Sequence, residues 1–262
     1  MRGQVLELSP ADGGIRFNRL LPYWAVLQTD LRLTLRSWVY RLWVLTSVLG
    51  ACGSLIYRVG VKEETGIVQT ASSQTQNLLR GLVIAGIGLV ALIAVSGISS
   101  ERGSVADAVL SRGISRYQYF LAKWHSRVIV VVGTFLAMGT VILAAYHFFL
   151  EPDLTLIGGF TALALIAAVL AVVVSWGVTI GALSNGTVIA ITTFWMILYG
   201  GIIALSLVPA PYPSPQRMMD ALPFVLRGQY DPAAVMQLAV ITATLSLLAA
   251  GVGLFGYARK DV

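Results

Sequence analysis

Apolar residues along this 262-residue chain come in long blocks rather than in alternating stripes. Six blocks stand out, at residues 42–61, 78–98, 128–150, 157–183, 187–208 and 233–257, and their only Asp, Glu, Lys or Arg residues are Arg58 and Arg80. A helix of about 20 apolar residues crosses the ~30 Å hydrocarbon core of a bilayer. The pattern therefore predicts an all-α polytopic membrane protein with six transmembrane helices. Between the fourth and fifth blocks only Ser184, Asn185 and Gly186 intervene, which predicts a tight helical hairpin.

Ahead of the first block, "LLPYWAVLQTDLRLTLRSWVYRLW" has a different texture. Leu31, Leu35, Trp38 and Leu42 recur at helical spacing, and Arg32 and Arg36 lie four apart. Tyr23, Trp24, Trp38, Tyr40 and Trp43 have the amphipathic rings that suit a membrane–water boundary. This predicts an N-terminal interfacial helix, the alternative being an extension of the first span. Residues 1–41 thus form an N-terminal segment and 42–262 the six-span domain. Six of the nine prolines fall between Pro209 and Pro232, so residues 209–232 are expected to be extended or turning backbone. Within that loop "MMDALPFVL" is apolar enough to dip into the interface.

Composition supports the membrane reading. Hydrophobic residues make up 57% of the chain and charged residues 11%, against about 25% charged in an average soluble domain. The net charge of +6 would suggest nucleic acid in a soluble protein, but basic residues also flank spans on the cytoplasmic side. The segment up to Arg41 holds six Lys/Arg, residues 99–127 five and the C-terminal tail two. The other side holds Arg58, Lys62, Arg80, Arg217 and Arg227. Both termini and the 99–127 loop are therefore expected in the cytoplasm, with nucleic acid excluded as a partner. Residues 1–19 lack the apolar core of about 7 to 15 residues of a cleavable signal, so the first span is expected to be retained. Cys52 is the single cysteine, which rules out a disulfide within the chain and a multi-cysteine metal site.

The 99–127 loop, "SSERGSVADAVLSRGISRYQYFLAKWHSR", carries two capping signals. Ser104 with Asp107 and Ser115 with Gln118 both have the spacing at which a hydroxyl caps a helix start and a later side chain reaches back. Gly113 between them is placed to end a helix. A short helix over about 105–112 is expected, then a break, then a helix from Arg116 with no breaker before Pro152. That second helix would run ~50 Å and must project beyond the hydrocarbon core. On capping alone, the short helix is equally a plug for a groove on another protein and a re-entry loop.

The loop resembles the corresponding segment of bacterial ABC-2 type transporter permeases. That family's pattern has an E-R-x-x-G-T-like start, a leucine-rich stretch, S-R-P-[VI]-S-R and a later Lys. Here it falls on Glu101, Arg102, Gly103, Ser104, Leu110, Ser111, Arg112, Ile114, Ser115, Arg116, Tyr119 and Lys123, with Gly113 in place of the proline. The tail "FGYARKDV" is similar to the family's aromatic–basic–Asp ending. The resemblance implies a non-catalytic permease subunit, in a prokaryotic inner membrane, with a cytoplasmic coupling helix. A separate ABC ATPase chain would bind ATP and Mg, and a second permease chain, identical or related, would complete the transporter. It further implies polar contacts to the ATPase from Glu101, Arg102 and Asp107. Val105, Ala108, Val109 and Leu110 would fill its groove, and Arg112 and Arg116 grip its rim. Gly103, Ser104, Gly113 and Ser115 belong to the same ATPase-coupling segment, and export is the expected direction.

Other motifs carry less. Gly251 to Gly256 spells G-x-G-x-x-G, but inside an apolar span with no preceding strand it is expected to serve helix packing. Gly177 and Gly181 form a G-x-x-x-G of the same kind. No G-x-x-x-x-G-K-[ST] occurs, so no ATP site is expected in this chain. His125 and His147 lie ~33 Å apart at helical rise and cannot share a metal. An ion-coupled carrier would keep ionisable groups at mid-membrane, whereas the span centres hold none. Ser96, Ser175, Thr179, Thr192 and Thr193 are expected to bond to their own helix backbone. Such a pathway suits hydrophobic or amphipathic substrates. A non-transporting anchor or assembly protein would share the spans but has no use for the doubly capped helix.

Overall fold

A computed structural model describes residues 20–65, 70–99, 114–150, 153–207 and 215–259. They form eight α-helices, with no strand among the described residues. In chain order these are α1 (Leu21–Arg36), α2 (Trp38–Thr65), α3 (Ala71–Ser99), α4 (Arg116–Phe149), α5 (Leu156–Leu183), α6 (Thr187–Leu207), α7 (Pro215–Leu226) and α8 (Pro232–Arg259). Six of them, α2 to α6 and α8, are long and apolar enough to cross a membrane. They fall on the six predicted blocks, and Ser184–Gly186 makes the expected tight link from α5 to α6.

α5 is the axis of the bundle, packed against α3, α4 and α8. Small residues set how closely it is approached. A Cβ on Gly177 would lie 2.7 Å from the Ala94 methyl, and one on Gly181 would strike the Val95 carbonyl of α3. Gly256 lies against Leu183 in the same way. Gly251 is different, because it faces outward with nothing within 4 Å, and the close contact belongs instead to Gly253 against Phe120 and Thr179. A helix turns 100° per residue, so a two-residue error in choosing the packing glycine moves it to the other face. The Thr179 hydroxyl also departs from expectation, since it donates to the Ala249 carbonyl of α8 at 2.7 Å rather than to its own helix. Ser175 behaves as expected and donates to Ala171 O at 2.7 Å.

α1 and α2 are separate helices. Ser37 is extended at ψ 144° and ends α1, while its hydroxyl accepts the Tyr40 N–H at 3.2 Å and so starts α2. The stripe that named α1 in the sequence does not face the bundle. Leu35 and Trp38 are exposed, and Leu27, Asp30 and Thr34 are the residues buried against α4.

The end of the bundle away from α1 holds the one helix the sequence did not announce. α7 forms despite its prolines. Pro215 occupies its first position, where a missing N–H costs nothing. Pro223 lies inside, and a proline there deprives the carbonyl four residues back of its helix partner. That carbonyl, Met219 O, accepts instead from Gln76 Nε2 of α3 at 2.6 Å. The helix closes on Gly228 at φ +79°. Gly228 N–H donates to Val225 O at 2.9 Å and Gln229 N–H to Phe224 O at 2.8 Å, the paired bonds of a Schellman terminus.

Polar side chains extend α3 past its apolar block in the same region. Ser72 donates to the Asp153 carboxylate through its N–H at 2.7 Å and also through its hydroxyl. Arg227 Nε donates to Asp153 Oδ2 and to Ser72 Oγ, each at 3.0 Å. Burial acts to raise the Asp153 pKa, but the Ser72 hydrogen bonds and the Arg227 guanidinium outweigh it and hold the carboxyl below its ordinary value.

Two outcomes follow for stability in detergent. Gln76→Leu leaves the Met219 carbonyl without its donor and should cost about 1–3 kcal/mol, read as a lower thermal midpoint. Asp153, having its pKa lowered by folding, stabilises fully above the ordinary value of 3.8. That contribution is lost as pH falls through its lower folded value. The wild-type unfolding temperature should therefore drop in that acid range, and Asp153→Asn should flatten this part of the profile.

Candidate functional site

The most concentrated buried charge lies at the α1 end, where α4 begins. α4 starts as its sequence promised. Ser115 Oγ accepts the Gln118 N–H at 3.2 Å and Gln118 Oε1 accepts the Ser115 N–H at 3.3 Å, a complete capping box. One residue on, Arg116 Nη1 donates to Ala258 O near the end of α8 at 3.3 Å. Tyr119 stacks on Tyr257, with ring centroids 6.1 Å apart and planes 20° from parallel. The first turns of α4 are thus bound to the last turn of α8.

Two turns further, α4 meets α1 through ions. Lys123 Nζ donates to Asp30 Oδ1 at 2.7 Å, and Arg127 Nη2 donates to the same oxygen at 3.2 Å. Asp30 is 1% exposed, Lys123 3% and Arg127 8%. Lys123 and Arg127 are four apart and so share a face of α4, and that face is turned to α1. The Arg127 guanidinium also lies flat against α3, where a Cβ on Gly97 would sit 2.6 Å from its Nε. Gly97 is two residues before the end of α3, so the guanidinium that pairs with Asp30 also touches the last turn of α3. One carboxylate facing two cations leaves a net charge of +1 among these three.

The surroundings keep the junction aligned. Trp124 Nε1 donates to Ser175 Oγ of α5 at 2.9 Å. His125 Nδ1 lies 2.8 Å from the Leu121 carbonyl and 3.1 Å from the Tyr23 hydroxyl of α1. A carbonyl only accepts, so Nδ1 carries the proton and the Tyr23 oxygen accepts a share of it. Burial pushes the Tyr23 phenol above its ordinary pKa, which keeps it neutral.

Of the residues singled out from the sequence, Ser115 and Arg116 belong to this junction. Glu101, Arg102, Gly103, Ser104, Val105, Asp107, Ala108, Val109, Leu110, Arg112 and Gly113 lie outside the described residues. So does the first capping signal. Lys123 appeared in the sequence as the last position of a motif, and the structure gives it a partner in Asp30. Asp30 itself went unnoticed. Its signal was isolation, for it is the one acidic residue between Asp12 and Glu63, in a helix whose other charged residues are Arg32 and Arg36. No group of three His, Cys, Asp or Glu residues positioned for a metal occurs among the described residues.

Among known proteins, no family model matches the chain and no curated protein is significantly similar to it. The functional reading therefore rests on the residues themselves.

Removing one member of a buried ion cluster strands the others in a poor solvent, typically at a cost of about 3–5 kcal/mol. Asp30→Ala should lower the thermal midpoint accordingly. The triple change Asp30→Leu, Lys123→Met, Arg127→Met should lower it much less, because these three charges are removed together. Equal losses in the two variants would show that packing rather than charge holds α1.

Proposed function

We propose that this chain is the membrane-spanning permease subunit of an ATP-binding cassette transporter, moved by a separate ATPase chain. The observation that carries the reading is the construction at the feet of the 100–113 loop. A loop with no mechanical duty does not need a capped helix start, an ion cluster and an aromatic stack tying it to α1, α3 and α8. A loop that receives force does. α4 has 34 residues, so at ~1.5 Å per residue it runs about 50 Å from this junction to the α7 end. It can act as a rod that carries a displacement at the loop across the bundle.

In this reading α1 is the interfacial helix, its exposed Trp24 and Leu35 in the inner leaflet beside Trp38 at the start of α2. Both termini and the loop are cytoplasmic, in a prokaryotic inner membrane. The loop carries the coupling helix, with Glu101, Arg102 and Asp107 in polar contact with the ATPase and Val105, Ala108, Val109 and Leu110 in its groove. Arg112 and Arg116 reach the rim, while ATP and Mg belong to the ATPase. A second permease chain, identical or related, packs against the open flanks. α2 and α6 supply such flanks, with exposed Ile56, Val188, Met196 and Ile203. The fully buried ionisable residues described, Asp30, Lys123 and Arg127, cluster at the loop end rather than at mid-bundle. This favours ATP-driven export of a hydrophobic or amphipathic substrate over ion-coupled transport.

The test is a pull-down of the tagged chain from its native host in mild detergent, with an ATPase assay on the eluate. A stoichiometric ATPase partner should appear and be lost when residues 104–112 are replaced by a Gly/Ser linker. Ala108→Asp should keep the chain folded but separate ATP hydrolysis from transport. A chain that elutes alone, with no associated ATPase activity, overturns the proposal in favour of a carrier or anchor.

A further inference from the structure

A cavity of about 270 Å³ opens on the flank of the bundle between α3, α5, α7 and α8. Its walls are aliphatic, with Ile87, Val169, Val173 and Leu238 among them, and Met219 and Leu222 of α7 form part of the roof. Gln229, Tyr230 and Asp231 supply polar groups where α7 hands over to α8. The Tyr230 hydroxyl lies 3.2 Å from Thr161 Oγ1, which places this polar group level with the second turn of α5. Val173, at the other extreme, is twelve residues farther along α5, or about 18 Å at helical rise. The cavity therefore runs along α5, polar at one end and apolar for the rest.

Among the described residues, the carboxylates at this end differ in their partners. Asp153 is paired with Arg227, and Asp220 with Arg80. Asp231 is exposed, and its Oδ1 accepts the Ala233 N–H at 2.9 Å at the start of α8. No cation pairs with it among the described residues. An apolar slot ending at an unpaired carboxylate complements one kind of molecule.

We propose that this cavity binds a single-chain cationic amphiphile, the chain lying along α5 and the cationic head at Asp231. The chain gains by leaving water for aliphatic walls, and the head gains an ion pair at the edge of the apolar region, where screening is weaker than in bulk water. The inference needs only this chain and stands apart from the permease reading.

The experiment measures binding of radiolabelled dodecyltrimethylammonium to the chain in dodecyl maltoside micelles, against empty micelles. Saturation at one molecule per chain is expected. Asp231→Asn retains a good helix cap and should weaken binding roughly fivefold, the upper worth of an exposed ion pair. Val169→Trp, which fills the slot, should abolish saturable binding, and Val173→Phe serves if the larger change lowers the unfolding temperature. Uptake that never saturates, or that both variants leave unchanged, overturns the proposal. So does equal competition by dodecyl phosphate or by a two-chain phosphatidylcholine, since neither matches a single-chain cation.

Discussion

The carboxylate of Asp30 is removed from water, and much of the arrangement at the α1 end follows from that. A buried anion must find cations or the helix carrying it would stay away from the bundle. Asp30 finds Lys123 and Arg127, and both come from one face of α4. This fixes the rotation of α1 about its own axis, because only one face presents Asp30 with Leu27 and Thr34. It also fixes the position of α3, since the guanidinium that reaches Asp30 rests on Gly97. An ion cluster of this kind adds little net stability, because desolvation offsets most of the attraction. What it supplies is a single allowed geometry.

The far end of the bundle solves a different problem, the backbone groups that helices leave unpaired. Where water is scarce each such group is costly. Pro223 frees a carbonyl in α7, and Gln76 reaches across from α3 to take it. Thr155 caps α5 and its N–H donates to Leu226 O at 3.0 Å, which uses one of the last carbonyls of α7. Asp153 gathers donors from Ser72 and Arg227. These bonds lash α3, α5, α7 and the turn after α4 together, while Leu222, Val225 and Leu226 of α7 pack into the core. α4 connects the two ends. Its first turns carry the ions and its outer turns carry Tyr146, whose hydroxyl lies 2.9 Å from Ser54 Oγ of α2.

Much of this fold was legible in the chain. The six spans, the Ser184–Gly186 hairpin and the Ser115 cap depend on local composition and on spacing of three or four residues, which a sequence displays directly. The α7 helix was not legible, because the proline rule counts the backbone bond that Pro223 removes and cannot see the Gln76 amide that replaces it. The choice of Gly253 over Gly251 and the face of α1 that turns inward escaped for a related reason. Most residues of a membrane span are apolar, so hydrophobicity no longer distinguishes the side facing protein from the side facing lipid. In α1 the apolar stripe marked the exposed side, and the buried side was marked by its one acid.

The sequence by itself determined that the chain is helical, how many helices are long and apolar enough to cross a bilayer, and where α4 begins. These are matters of run length and of neighbours along one helix. Only the tertiary structure decided which polar atoms meet. Asp30 lies 93 residues from Lys123, Gln76 lies 143 from Met219 and Thr179 lies 70 from Ala249. No periodicity encodes such pairings. They follow from which polar atoms packing brings within 3 Å or so of each other, since a buried charge, hydroxyl or carbonyl is costly to leave without a partner.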